Sequence, residues 1–334
     1  MRRAAIILIV MLIGATVFFA TQDPPVSPAL APSNTIANDL TSRTTSGDVV
    51  GFIGDEGARS WLGIPFAKPP IGNLRWRAPL PPEPWNDVRV AKQVSDLCPQ
   101  LNSATASDEV SATPTVVGSE DCLYLNVYAP ASASNRPVMF WIHGGGNSVG
   151  DGGSYNASRL AVSQDVVVIT INYRLAHLGW FSHPALVTGQ PLDDSGNYGT
   201  LDIIRALEWT RDNAAGFGGD PDNVTVFGES AGASDTMTMV ASPLARGLFH
   251  RGIVQSGGLR ISPVEFVQAY ASQGGHPYSS REIVSHLLIA DGLASDAITA
   301  QTYQDAMTAD ELRVYLYRKT PRNFSPHSIT ATSA

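Results

Sequence analysis

Val224-Thr225-Val226-Phe227-Gly228-Glu229-Ser230-Ala231-Gly232 joins a strand candidate to a helix candidate through a tight turn. Its first four residues, all β-branched or aromatic, form a strand candidate. A G-x-S-x-G pentapeptide follows, and Ala231 to Ala241 beyond it is able to be helical. The pentapeptide alone is a weak signal; its place between a strand and a helix makes it informative. A turn this tight leaves no room for flanking side chains, hence Gly228 and Gly232. It lifts the Ser230 hydroxyl above the sheet, where it can attack a carbonyl.

Upstream, His143-Gly144-Gly145-Gly146 directly follows a second apolar run, Val138 to Ile142, and continues through Asn147 and Ser148. Taken alone, a glycine triplet reads equally as a flexible surface loop. Beside a nucleophile it has a sharper reading. Without side chains in the way, two backbone N–H groups of the loop can face a developing oxyanion, with Ala231 as a third donor. Each such donor contributes on the order of 3 kcal/mol in the transition state.

Further strand candidates are Val49 to Ile53, Trp61 to Ile64, Leu123 to Tyr128, Val166 to Ile171 and Gly252 to Gln255. From Leu123 onward these runs are apolar on both faces, as buried parallel strands are. Helical segments alternate with them over Ser158 to Ser163 and Leu201 to Ala215; in the second, Ile203, Ala206, Leu207 and Ala214 share one face. Beyond Ser262 helices are expected over 281–291, 296–307 and 310–317. Strand–helix alternation means an α/β fold with ligands at the carboxyl ends of the strands. A Pro-rich stretch with little periodicity spans 69–114.

Composition agrees with an enzyme of this class. The 334 residues are 43% hydrophobic and 16% charged, which excludes a disordered chain or a coiled coil. With 22 basic against 30 acidic residues, the net charge of −8 argues against a nucleic-acid binder. Arg2 and Arg3 precede an uncharged apolar run from Ala4 to Ala20. This reads as a cleaved export signal or a retained membrane anchor, and either way the domain is exported. In an oxidising compartment Cys98 and Cys122, the only cysteines, can pair. The alternative is two buried thiols.

Several motifs in order carry a resemblance. They are Ser119-Glu120-Asp121-Cys122-Leu123-Tyr124-Leu125-Asn126-Val127, Trp141-Ile142-His143-Gly144-Gly145-Gly146, Gly196-Asn197-Tyr198-Gly199, Phe217-Gly218-Gly219-Asp220-Pro221-Asp222-Asn223-Val224-Thr225 and the Gly228–Gly232 elbow. The chain resembles the type-B carboxylesterases, a family of α/β-hydrolases that includes cholinesterases and bacterial para-nitrobenzyl esterases, from about Val50 to Asn323. The resemblance implies a central, mostly parallel sheet flanked by helices. It implies a serine esterase acting on a small-molecule carboxylic ester without metal or organic cofactor. Ser230 would be the nucleophile, Gly145, Gly146 and Ala231 the oxyanion hole, Cys98–Cys122 a disulfide, and Arg75–Glu120 and Arg174–Asp202 buried structural ion pairs. Glu229 either tunes the base or merely packs in the elbow. Asn147 departs from the pattern, since the family often has an aromatic residue there.

A larger departure concerns the catalytic triad. The family supplies its acid and histidine far downstream of the serine, beyond Ala334, the last residue of this sequence. The expectation is therefore an α/β-hydrolase domain with its C-terminal part missing and with impaired activity. His250, His276, His286 and His327 read as structural or solvated, and no triad acid or base is assigned. The domains expected are a signal or anchor at 1–20, a Pro/Ser/Thr-rich linker at 21–47, a partial esterase domain at 48–324 and an unrelated tail at 325–334. Two other outcomes stay open: a non-catalytic adhesion or binding protein on this fold, against which the intact Ser230 counts, and a non-functional fragment.

Overall fold

The computed structural model describes residues 40–102 and 115–324. The expected signal or anchor, most of the linker, His327 and the tail lie outside the described residues. Among the described residues, no helix is long and apolar enough to cross a membrane.

The strands are β1 (Thr41–Thr44), β2 (Gly47–Val50), β3 (Phe52–Ile53), β4 (Arg59–Pro65), β5 (Arg89–Val90), β6 (Gln100–Leu101), β7 (Val116–Val117), β8 (Tyr124–Ala129), β9 (Arg136–Ile142), β10 (Val167–Ile171), β11 (Gly219–Glu229) and β12 (Arg251–Gln255). The helices are α1 (Ser158–Gln164), α2 (Ala176–Gly179), α3 (Tyr198–Asn213), α4 (Ala231–Ala241), α5 (Val264–Gln268), α6 (Ser280–Ala290), α7 (Ala297–Ala306) and α8 (Ala309–Tyr317).

The folded domain starts earlier than residue 48. β1 pairs antiparallel with β2, Thr41 opposite Val50, so the expected linker gives way at Thr41. Its polar sequence hides the strand, yet Ser42 and Thr44 are buried on alternate positions. Their hydroxyls are satisfied by the Gly216 carbonyl at 3.0 Å and the Gly47 carbonyl at 2.7 Å.

The central sheet has the order β12-β11-β9-β10-β8-β4-β3. It is mixed rather than mostly parallel. β12, β11, β9 and β10 are parallel neighbours. β10–β8, β8–β4 and β4–β3 are antiparallel. The division follows the connections, because parallel neighbours need a crossover. Helices α1, α3 and α4 supply one after β9, β10 and β11 in turn, whereas a short turn joins β3 to β4.

Burial follows most of the apolar runs, although Ile53 is exposed and Met139, Trp141, Thr225 and Phe227 are only partly buried, so that β9 and β11 are fully covered on one face rather than both. All of β10 is buried, and Ile142, Phe140, Val224 and Val226 join it in the core. Against this core lie Ile203, Ala206 and Leu207 of α3, with Ala214 just past the helix end, all fully buried. β12 differs: it pairs with β11 as a parallel strand, but every one of its residues is exposed. The expectation of a buried strand at Gly252 to Gln255 is corrected here, because β12 is the edge of the sheet among the described residues. A second core, around Trp76, Phe181, Leu288 and Leu316, packs beneath α6 and α8. The expected C-terminal helices form within a residue or two, and Asp296 and Thr308 close capping boxes with Thr299 and Glu311.

Candidate active site

The end of β11 and the start of α4 meet at Ser230, whose backbone has φ 56° and ψ −116°. This left-handed φ is costly for a non-glycine residue, and the surroundings over-determine it. The Ser230 N–H donates to the Gln255 carbonyl at the end of β12 (2.9 Å), and the Ser230 carbonyl accepts from the Ser234 N–H (3.1 Å). A Cβ at Gly232 would lie 2.1 Å from the Ile142 carbonyl oxygen, and one at Gly228 would lie 2.3 Å from the Gly232 carbonyl oxygen. Both glycines thus let α4 pack against the end of β9. Ser230 is exposed, and among the described residues no side chain hydrogen-bonds to its hydroxyl.

The glycine loop leaves β9 beside this turn. A Cβ at Gly144 would sit 2.9 Å from the Glu229 carbonyl oxygen and 3.3 Å from the Ser230 Cβ. Gly145, Gly146 and Asn147 follow with φ of 99°, 64° and 55°. The Gly145 carbonyl accepts from both Ser148 and Val149 at 3.1 Å, closing the loop on itself. Among the described residues, none accepts from the N–H groups of Gly145, Gly146 or Ala231. Elbow and loop are therefore neighbours, with their three donors unclaimed.

His143, at the base of the loop, is buried and stacks on Tyr173 with ring centroids 4.3 Å apart. Burial pushes its imidazole down to about 4, so the ring is neutral. Its Nδ1 lies 2.8 Å from the Gly144 carbonyl, which requires the proton on Nδ1. A second polar group lies behind the loop. Asn147 Nδ2 donates to Asp235 Oδ1 at 3.2 Å, and the Tyr173 hydroxyl lies 2.7 Å from the His143 carbonyl and 3.2 Å from Asn147 Oδ1. Burial pushes the Asp235 carboxyl up to about 7 against the lowering effect of Asn147. Sequence reasoning missed Asp235 and Tyr173. The available signal was Asp235 itself, the one charged residue of α4.

The remaining sequence candidates make contacts of their own. Cys98 and Cys122 are joined, with Cα atoms 5.0 Å apart. Arg174 holds Asp202 through Nε (2.8 Å), Nη2 (2.7 Å) and its backbone N–H (3.0 Å). Asp202 is fully buried, and burial raises its carboxyl while Arg174 draws it back. Arg75 clasps Glu120 at 2.6 and 2.5 Å and donates to the Lys319 carbonyl at 2.7 Å. Glu229 lies against Gly144. His250 is a strand fitting: its Nδ1 accepts from the Val224 N–H at 3.1 Å. His276 accepts from the Tyr278 N–H within its own loop, and His286 sits on α6. Among the described residues, no group of three or more His, Cys, Asp or Glu side chains is arranged to hold a metal ion.

Comparison with known proteins agrees with this architecture. The model of the "Carboxylesterase family" matches residues 38–287. The chain is 41% identical over 263 residues to the para-nitrobenzyl esterase of Bacillus subtilis (strain 168), covering 78% of this chain and 50% of that protein. It is 49% identical over 208 residues to pyrethroid hydrolase Ces2e of Rattus norvegicus, covering 60% of this chain and 35% of that protein. Among solved structures, a PNB esterase superposes with a TM-score of 0.61 at 36% identity, covering 82% of this chain and 52% of that one. The Geobacillus stearothermophilus carboxylesterase EST55 gives a TM-score of 0.65 at 33% identity, covering 87% and 53%. The chain thus spans about half or less of the length of these relatives. With its α/β-hydrolase fold, its strand–Ser230–helix turn and its adjoining glycine loop, the chain belongs to the carboxylesterase family.

Proposed function

We propose that the protein is a carboxylic ester hydrolase working through a serine acyl-enzyme. The observation that carries this reading is the contact between the elbow and the glycine loop, a Cβ at Gly144 falling 3.3 Å from that of Ser230. In the proposed reaction Ser230 Oγ adds to the ester carbonyl, and the resulting oxyanion takes hydrogen bonds from the N–H groups of Gly145, Gly146 and Ala231. The C–O bond then breaks, the alcohol leaves with the serine proton, and water later hydrolyses the acyl-serine to the carboxylic acid. A small hollow lined by Leu101, Ser148, Val149, Leu175, His177 and Phe324 adjoins the loop at Ser148 and Val149; it is the relatives' names that point to an ester with an apolar arm. Para-nitrobenzyl and pyrethroid esters, named for two relatives, are of that type.

A serine of this kind needs a base, and none hydrogen-bonds to Ser230 among the described residues. We therefore infer weak turnover by the 334-residue chain itself, limited to what binding and the oxyanion donors supply. The joined Cys98 and Cys122 support an exported location, where an oxidising compartment preserves disulfides. The deciding experiment is hydrolysis of p-nitrophenyl butyrate by the full chain beside Ser230→Ala. Slow release abolished by the substitution supports the reading. Rates equal in both proteins count against Ser230 as the nucleophile. Fast turnover lost in the variant would mean that the chain contains a base after all.

A further inference from the structure

The fifth residue after Ser230 is an acid that packing alone does not explain. Asp235 is 5% exposed, on a helix whose other buried residues are Gly232, Ala233, Thr236 and Met239. One carboxyl oxygen, Oδ1, accepts a single hydrogen bond, from Asn147 Nδ2 at 3.2 Å. The other, Oδ2, is buried with no partner among the described residues. An under-satisfied buried carboxyl costs free energy that an apolar residue of similar size would not, so its presence calls for a role.

The partner supplies that role. Asn147 ends the run of left-handed residues that begins at Gly145, and asparagine is among the few side chains that tolerate such a φ. Its carbonyl and the two polar atoms of its side chain each find a partner elsewhere in the fold. The carbonyl accepts from the Ala176 N–H at 2.7 Å at the start of α2. The side-chain oxygen faces the Tyr173 hydroxyl, whose nearer acceptor is the His143 carbonyl at the root of the loop. The side-chain nitrogen reaches Asp235 on α4, one turn past the nucleophile. This bond is a side-chain link from the loop to the helix that begins just after Ser230.

We propose that Asp235 and Asn147 form a positioning pair that fixes the glycine loop relative to Ser230. Asp235 acts through Asn147 and touches no substrate. The proposal builds on Ser230 as nucleophile and Gly145 and Gly146 as oxyanion donors. Its prediction for the loop itself does not depend on turnover.

The test uses the full chain with Asp235→Ala, Asp235→Asn, Asn147→Gly (glycine accepts the left-handed φ) and the double variant Asp235→Ala/Asn147→Gly. Two quantities are read. One is the rate at which an alkyl fluorophosphonate labels Ser230, displacing fluoride, followed by intact mass. The other is the amide 15N–1H positions of Gly145 and Gly146. Asp235→Ala and Asn147→Gly are each expected to slow labelling by about tenfold or more, the scale on which small misplacements act. The double variant should be no slower than the worse single one, because both remove one contact. Asp235→Asn keeps an acceptor for Asn147 and should restore both labelling and resonances. Labelling losses that multiply in the double variant, or Gly145 and Gly146 resonances unmoved by Asp235→Ala, would overturn the pair. If the parent chain labels no faster than Ser230→Ala, the nucleophile reading falls, and the loop resonances alone decide the positioning role.

Discussion

At the scale of single residues, burial sets the chemistry. His143, His177 and His183 are each pushed down to about 4 by burial. A histidine whose folded pKa is depressed is neutral in the fold and charges on unfolding, so stability falls as pH drops from about 6.5 toward 4. Asp235 has the opposite sign. Its carboxyl is raised from 3.8 to about 7, so the folded state holds the proton more tightly. Asp235 therefore removes stability as pH rises from 3.8 to about 7, by at most roughly 1.4 kcal/mol per pH unit. Urea midpoints of the wild type and Asp235→Asn should coincide near pH 4 and diverge in favour of the variant until about pH 7, then stay parallel. A difference that is constant across this range would show that Asp235 is ionised throughout. The three histidines contribute the opposite slope on the acid side in both proteins, so it cancels in the comparison.

Among the elements, the parallel half of the sheet places the chemistry. β9 and β11 end side by side, Ile142 opposite Gly228, so the loop leaving one meets the elbow leaving the other. The adjacent β12 holds the Ser230 N–H through Gln255 and is open on both faces, with Ile253 and Val254 exposed. An exposed apolar edge strand invites pairing with another chain. Ile253→Lys should leave stability within about 0.5 kcal/mol, as for other exposed positions, while reducing self-association. Light scattering at rising protein concentration reads the effect. A variant that associates like the parent would exonerate this edge.

Across the whole molecule, long-range ties join segments that sequence leaves far apart. The Cys98–Cys122 bond spans 24 residues, and removing it by Cys98→Ala/Cys122→Ala should cost roughly 3 kcal/mol in the chain-entropy picture. Equilibrium unfolding in urea measures this, and an unchanged midpoint would refute it. Arg75 reaches Glu120 and the Lys319 carbonyl together, tying the start of the domain to its last described helices. Much of this was legible beforehand. A face repeating with the helical turn located α3, and the segments expected to be helical beyond Ser262 match α6 to α8, whereas the short α2 and α5 were not read. The tight turn at Ser230 was legible because only glycine fits at 228 and 232. β1 was not legible, since its buried hydroxyls are satisfied by a distant Gly216 carbonyl and by the turn that follows. The strands of the antiparallel half were read as strands but not their direction, because an apolar run looks the same in either direction. The strand–turn–helix around Ser230, the glycine loop and the order of the main elements were thus readable from the residues alone, because they depend on local backbone constraint and periodicity. Tertiary packing, by contrast, sets the contact of Asn147 with Asp235, the exposure of β12 and the upward push of burial on the Asp235 carboxyl, because these follow from which distant groups share a buried space.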